Sequence, residues 1–107
     1  MILFVCTGNI FRSLTAEYAL RRELGPHSTL AVASAGTDDY PHVVRPNVRD
    51  YLRAKGLDVS AHRRRTLTRE ILSGSDLVSA MSTDHQRFVH ERFGLQFPVF
   101  LQACGGA

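Results

Sequence analysis

The sequence lacks tryptophan, holds only two cysteines among 107 residues, and contains no apolar run long enough to cross a bilayer. Two cysteines, Cys6 and Cys104, are too few for the disulfide framework of a small secreted domain, so we expect reduced thiols in a cytoplasmic protein. A membrane span needs roughly 20 apolar residues, so we expect no membrane partner. Met1 leads directly into an apolar strand pattern, without the basic and small-residue flanks of a signal peptide.

The charge balance is basic, with 13 lysines and arginines against 10 aspartates and glutamates. Part of the excess lies in the run His62-Arg63-Arg64-Arg65. A basic surface attracts nucleic acids or steers other anionic ligands toward a site. Because the sequence has no helix-turn-helix signature, zinc-ligand spacing or aromatic platform, we expect no nucleic-acid partner and interpret the run as a solvated face.

Strand and helix patterns alternate along the chain. Apolar runs predict strands buried in a parallel sheet at 2–5, 30–35, 76–81 and 97–101. Helical patterns lie at 13–24, 46–55, 66–72 and 82–94, with Ser13 and Ser82 as predicted caps. In the first helix, the predicted buried stripe is Ala16, Ala19, Leu20 and Leu24. We therefore predict a single α/β domain, 1–107, of Rossmann-like type, with a four-stranded parallel sheet and helices on both faces.

The loop after the first strand, Cys6 to Ser13, carries the chemistry. In parallel sheets, ligands lie beyond the carboxyl ends of strands, at helix N-termini. Main-chain N–H groups and the guanidinium of Arg12 can converge there on an anion, and their positive field favours the nucleophilic thiolate form of Cys6. A Cys-x5-Arg spacing alone also fits a buried structural cysteine, but the flanking strand and helix favour a phosphate-binding loop made of Thr7, Gly8, Asn9, Ile10, Phe11, Arg12 and Ser13.

Here the chain resembles the low-molecular-weight protein tyrosine phosphatases, whose loop reads Cys-x-Gly-Asn-x-Cys-Arg-Ser-Pro after an apolar strand. Phe11 replaces the second loop cysteine of that family and Leu14 its proline, so the vicinal disulfide of many members cannot form. The likeness covers almost all of the chain and continues through Ser34-Ala35-Gly36-Thr37, Pro46, Gly56, Ala61-His62-Arg63 and Met81. It implies hydrolysis of phosphotyrosine on protein substrates through a phosphocysteine intermediate, without a cofactor or metal.

The resemblance also implies roles for individual loop residues. Cys6 is the expected nucleophile, Arg12 binds the transferring phosphoryl group, and Ser13 donates a hydrogen bond to the thiolate. Asn9, held by Ser34 and His62, is expected to keep the loop in its curl.

Two further positions bear on the substrate. Tyr40, with Asp39 beside it, lies where the family places an aromatic wall of the substrate pocket. Ile10 occupies a position that is aliphatic in tyrosine phosphatases and threonine in relatives that act on phosphoarginine, which favours phosphotyrosine.

The family's general acid is an aspartate in an Asp-Pro segment, and this sequence contains no Asp-Pro. General acid catalysis contributes about 10²–10⁴ in rate, so we expect weak turnover unless Asp38 or Asp39 substitutes, which the sequence leaves open. We also expect no counterpart of the family's last helix. We therefore expect the last strand, with Phe97, Val99 and Phe100, to be covered by a second copy or another chain.

Three other functions remain open. An arsenate reductase uses the same loop but needs further cysteines, and only Cys104 could serve. A non-catalytic phosphate- or phosphotyrosine-binding module would need no acid, and a phosphocysteine carrier would need no loop arginine. A metal site is not expected, because His85 and His90 are five residues apart on a helix and do not share a face.

Overall fold

The computed structural model describes residues 1–8, 11–38 and 43–94. Within these ranges the chain forms three strands and four helices, in the order β1 (Ile2–Cys6), α1 (Arg12–Leu24), β2 (Val32–Gly36), α2 (Pro46–Ala54), α3 (Arg69–Ser73), β3 (Leu77–Ala80) and α4 (Thr83–Phe93). The predicted strand at 97–101, and with it the predicted partner surface at Phe97, Val99 and Phe100, lies outside the described residues.

The sheet is parallel, and β1 is its central strand, with the order β2-β1-β3. Cys6 is the last residue of β1 and pairs with Gly36 of β2. Because parallel strands end at the same edge, the loops after β1, β2 and β3 meet there. The predicted α/β class with a parallel sheet is confirmed, and the described part of the chain contains three of the four predicted strands.

Apolar residues pack in two clusters. One joins β1 and β2 to α3 and α4 and contains Leu3, Val5, Ala33, Ala35, Leu67, Leu72 and Val89. The other joins α1, α2 and the segment after α2 and contains Leu14, Leu52, Leu57 and Val59. Full burial of one such Leu or Val side chain contributes about 1.5–3 kcal/mol, so these clusters hold the helices on the sheet.

The start of α1 differs from the prediction. The helix begins at Arg12, and the capping position is Phe11, which makes no side-chain capping bond. Ser13 is therefore not a cap, because its hydroxyl contacts the thiol of Cys6 instead. The predicted apolar stripe is also wrong: its four members are only half-buried, and the residues that α1 buries are Ser13, Leu14 and Glu17.

The helix predicted at 66–72 begins later, at Arg69. Thr66 instead pairs with Gly36 in an isolated parallel bridge, which draws the chain along the edge of β2. The hydroxyl of Thr68 then accepts the N–H of Ile71 and starts the helix.

The cap predicted for the last helix is confirmed. The hydroxyl of Ser82 accepts the main-chain N–H of His85, and Gly94 ends α4 with a φ of 74° in the left-handed region. In the described ranges, no helix has the length and apolar character of a membrane span.

Candidate active site

The thiol of Cys6 lies at the carboxyl end of the central strand, with 3% of the residue exposed. Its Sγ is 2.9 Å from Oγ of Ser13, which lies in the first turn of α1 and is fully buried. A hydroxyl at this distance can donate to a thiolate, and a charged acceptor strengthens such a bond. The strand and the helix thus bring together two residues seven positions apart in the sequence.

Arg12 is the first residue of α1 and is exposed. Together with burial, which is the larger cause, the positive charge of Arg12 lowers the pKa of His85 on α4. Phe11 is 46% exposed, and its carbonyl accepts the N–H of Thr15 in the first turn of the helix. Asn9 and Ile10 lie outside the described residues, so their predicted roles stay predictions.

The first loop residues are fastened to the segment that follows β2. The carbonyl of Cys6 accepts the N–H of Thr37 at 2.8 Å, and the carbonyl of Thr7 accepts the N–H of Asp38 at 3.0 Å. These two bonds continue the pairing of β1 with β2 past the end of the sheet. The loop therefore leaves β1 in a fixed direction.

Arg64 bridges three parts of the site. Its Nε donates to the carbonyl of Gly8 at 3.0 Å, Nη2 to the carbonyl of Asp38 at 2.7 Å, and Nη1 to the hydroxyl of Thr66 at 3.2 Å. A planar guanidinium can serve several acceptors at fixed angles, which an ammonium cannot. The sequence interpretation of the run 62–65 as a solvated face is therefore wrong for the half-buried Arg64, which joins the two loops.

Gly36 allows this close packing. A Cβ at residue 36 would lie 2.6 Å from the carbonyl oxygen of Thr7 and 3.0 Å from Nη2 of Arg64. Because real Cβ atoms do not approach backbone so closely, a side chain here would displace the loop.

Glu17 is a buried acidic residue that the sequence analysis missed. One carboxylate oxygen accepts the hydroxyl of Ser34 at 2.5 Å, and the other pairs with Arg21 at 2.5 Å. Ser34, which was predicted to support Asn9, therefore bonds to α1. An ion pair with Arg21 satisfies a carboxylate that burial would otherwise make costly.

His62, the other predicted support of the loop, is half-buried. Its ring packs edge-on against Tyr18 of α1, with the ring centres 5.9 Å apart. The contact places His62 beside the helix that carries Arg12 and Ser13. Its predicted bond to Asn9 concerns a residue outside the described ranges.

A buried histidine faces the loop from α4. Nε2 of His85 lies 2.9 Å from Oγ1 of Thr7, and Nδ1 lies 2.8 Å from Oγ of Ser82. Burial lowers the pKa of His85 below its ordinary value and the charge of Arg12 lowers it further, while Asp84 acts in the opposite direction. The sequence analysis considered His85 only as a metal ligand, and no local pattern could indicate a contact 78 residues away.

The predicted substrate wall, Tyr40 and Asp39, lies outside the described residues. Asp38, the other candidate acid, is half-buried and held by its main chain. Among residues 1–8, 11–38 and 43–94, no group of three or more His, Cys, Asp or Glu side chains could hold a metal ion.

A cysteine and an arginine flanking a loop at a helix N-terminus, at the edge of a parallel sheet, define a class of anion-binding α/β proteins. The family model for low molecular weight phosphotyrosine protein phosphatase matches residues 1–97. The chain belongs to this family.

Individual relatives carry different names. The chain is 32% identical over 91 residues to a probable low molecular weight protein-tyrosine-phosphatase, EpsP, of Ralstonia solanacearum, which covers 85% of this chain and 61% of that protein. It is 35% identical over 83 residues to Arsenate reductase 2 of Staphylococcus haemolyticus, covering 78% and 60%. Among solved structures, the YwlE arginine phosphatase of Geobacillus stearothermophilus matches with a TM-score of 0.75 and 34% identity, covering 87% and 59%. The chain spans about three fifths of the length of these relatives.

Proposed function

We propose that this chain is a cysteine-dependent phosphatase that hydrolyses phosphotyrosine on proteins. The observation that carries the proposal is the thiol of Cys6 at the sheet edge, 2.9 Å from the hydroxyl of Ser13 at the start of a helix. A hydroxyl donor and a helix N-terminus both stabilise negative charge on sulfur. Family membership supports phosphatase chemistry, and the requirement for a free thiol favours a reducing compartment such as the cytoplasm.

The reaction has two steps. The Cys6 thiolate attacks phosphorus, the bond from phosphorus to the phenolic oxygen breaks, and a general acid protonates the departing phenolate. Water then attacks the phosphocysteine, the bond from phosphorus to sulfur breaks, and inorganic phosphate leaves with the thiolate restored. Arg12 and the loop N–H groups bind the phosphoryl oxygens in both steps. Asp38 and Asp39 are the proposed alternatives for the acid.

Phosphoarginine is a second candidate substrate. The solved arginine phosphatase at 34% identity favours it, whereas Ile10 in place of threonine favours phosphotyrosine. An arsenate reductase gains support from the relative of that name, and it would need a second thiol, for which Cys104 is available in the sequence. A phosphotyrosine-binding module would keep the loop and lack turnover.

Turnover of three substrates tests the proposal: an activated aryl phosphate, a phosphotyrosine peptide and a phosphoarginine peptide. The phenolate of the activated ester leaves without protonation, so its rate reports on the nucleophile and the phosphate loop, while the peptides also need the acid. We expect the activated ester to react fastest and phosphotyrosine to exceed phosphoarginine. Acid quenching during turnover should trap a phosphate on the peptide that contains Cys6.

Two variants serve as the matched pair. Cys6→Ser should reduce turnover to the buffer rate, and Cys104→Ser should leave it unchanged. Tight binding of phosphotyrosine peptide without turnover would instead support the binding module. Arsenate-dependent oxidation of thioredoxin that disappears in Cys104→Ser would support the reductase.

A further inference from the structure

A short chain of hydrogen bonds joins α4 to the phosphate loop. It runs from Oγ of Ser82 to Nδ1 of His85, over 2.8 Å, and from Nε2 of the same ring to Oγ1 of Thr7, over 2.9 Å. Only 4% of His85 is exposed. Both ring nitrogens are therefore engaged, which argues against direct contact with a substrate.

The contacts allow the following arrangement of protons. The hydroxyl of Ser82, which accepts the main-chain N–H of His85 in the helix cap at 3.5 Å, donates its own proton to Nδ1. A neutral imidazole with Nδ1 as acceptor carries its proton on Nε2. That proton is directed at Oγ1 of Thr7, the residue directly after Cys6.

Burial lowers the pKa of His85 most strongly and so favours the neutral ring. The positive charge of Arg12, at the start of α1, lowers it further, and the negative charge of Asp84 on α4 acts in the opposite direction. At this end of β1, titratable or charged groups are also carried by Cys6, Asp38 and Arg64. An oxyanion held by Arg12 would offset the guanidinium charge and so favour an imidazolium.

We propose that His85 is a positioning residue of the phosphate loop, which holds Thr7 through Nε2–H and takes up a proton when an oxyanion binds beside Arg12. The inference rests on the proposed function, because it concerns the same loop. By reciprocity, anion binding then tightens as the pH falls from the pKa of His85 in the anion complex toward its lower pKa in the free chain. Each unit by which the anion raises the pKa of His85 corresponds to a tenfold gain in affinity at low pH.

Sulfate is a suitable probe, because its charge stays constant between pH 5 and pH 8, unlike that of phosphate. We would follow the ring nitrogens of His85 by NMR in the full chain, titrated with sulfate or with chloride at equal ionic strength. The expected result is an Nε2-protonated ring at pH 7 and a titration midpoint that sulfate moves to higher pH. An Nδ1-protonated ring, or a midpoint that sulfate leaves in place, would overturn the inference.

Two glutamine variants extend the test. His85→Gln keeps an N–H donor but cannot titrate, whereas His90→Gln changes an exposed histidine on the same helix. Sulfate affinity should depend less on pH in His85→Gln than in the wild type, and His90→Gln should match the wild type. His85→Ala should lower kcat/KM about 2- to 10-fold, the value of one hydrogen bond, and His85→Gln should recover most of it.

The outcomes separate this inference from the proposed function. If Cys6→Ser retains turnover, the proposed function fails, while the sulfate titration still decides the role of His85. If Cys6→Ser abolishes turnover and sulfate binds without moving the His85 midpoint, the inference alone fails. If sulfate does not bind, the inference fails, while turnover of Cys6→Ser still decides the proposed function. The NMR titration needs only the wild-type chain, so it remains decisive if a variant does not fold.

Discussion

The contact between Ser13 and Cys6 yields a quantitative prediction. Ser13→Ala removes the hydroxyl that lies 2.9 Å from Sγ and changes little else, because alanine also fits a buried helical position. A hydrogen bond to a charged group contributes about 1.5–3 kcal/mol. The thiolate should lose that stabilisation while the neutral thiol is affected less. Reactions of the Cys6 sulfur that pass through the thiolate should therefore slow about 10- to 150-fold.

Alkylation by iodoacetamide measures this effect, because the thiolate is the reacting form. Trypsin cleaves after Arg12, so mass spectrometry can follow Cys6 separately from Cys104. The rate constant at neutral pH should fall by the factor above in Ser13→Ala, and kcat for an activated aryl phosphate should fall with it.

Ser79→Ala is the matched control. Ser79 is also buried, on β3, but its hydroxyl makes no hydrogen bond within the described part of the chain. Its removal should leave the alkylation of Cys6 unchanged. Equal alkylation rates in Ser13→Ala and the wild type would refute a role for Ser13 in holding the thiolate, and equal losses in both variants would indicate a general effect on folding.

Two further predictions concern the packing around the loop. Arg64→Lys should lower the free energy of unfolding in urea by about 1–3 kcal/mol and also lower kcat/KM, because a compact ammonium cannot span the three separate acceptors that the planar guanidinium reaches. The exposed Arg63→Lys should change neither. Gly36→Ala should destabilise the protein by about 1–3 kcal/mol, because its methyl group would meet the carbonyl oxygen of Thr7. In Gly74→Ala the added Cβ would lie 3.6 Å from its nearest neighbour, the carbonyl oxygen of Glu70, so this variant should keep the wild-type melting temperature. Equal losses of stability in the two variants would contradict the steric reason.

Local patterns predicted the elements that depend on local interactions. The apolar run before Cys6 gave the central strand, and Ser82 and Gly94 bounded α4 as capping rules require. The same rules failed at Ser13, because a nearby thiol offered its hydroxyl another partner. The predicted helix start at Thr66 was wrong for a similar reason, because the backbone of Thr66 pairs with the edge of β2.

The supports of the candidate site were harder to predict, because they depend on contacts between distant parts of the chain. Arg64 reaches Gly8 across 56 residues, and a run of arginines does not indicate which member turns inward. Glu17 occupies a buried face of α1 that an apolar pattern would assign to alanine or leucine. Arg21, four residues along the same helix, supplies one partner of the carboxylate, but only the tertiary fold supplies the other, Ser34.

The direction of the loop amides follows from the same tertiary contacts. The carbonyls of Cys6 and Thr7 both point toward the segment after β2, where the N–H groups of Thr37 and Asp38 donate to them. In a planar trans peptide, the N–H group points opposite to the carbonyl. The N–H groups of Thr7 and Gly8 therefore face away from β2, as the proposed anion-binding role of the loop requires. A substitution that releases either carbonyl should weaken oxyanion binding even though it removes no group that touches the ligand.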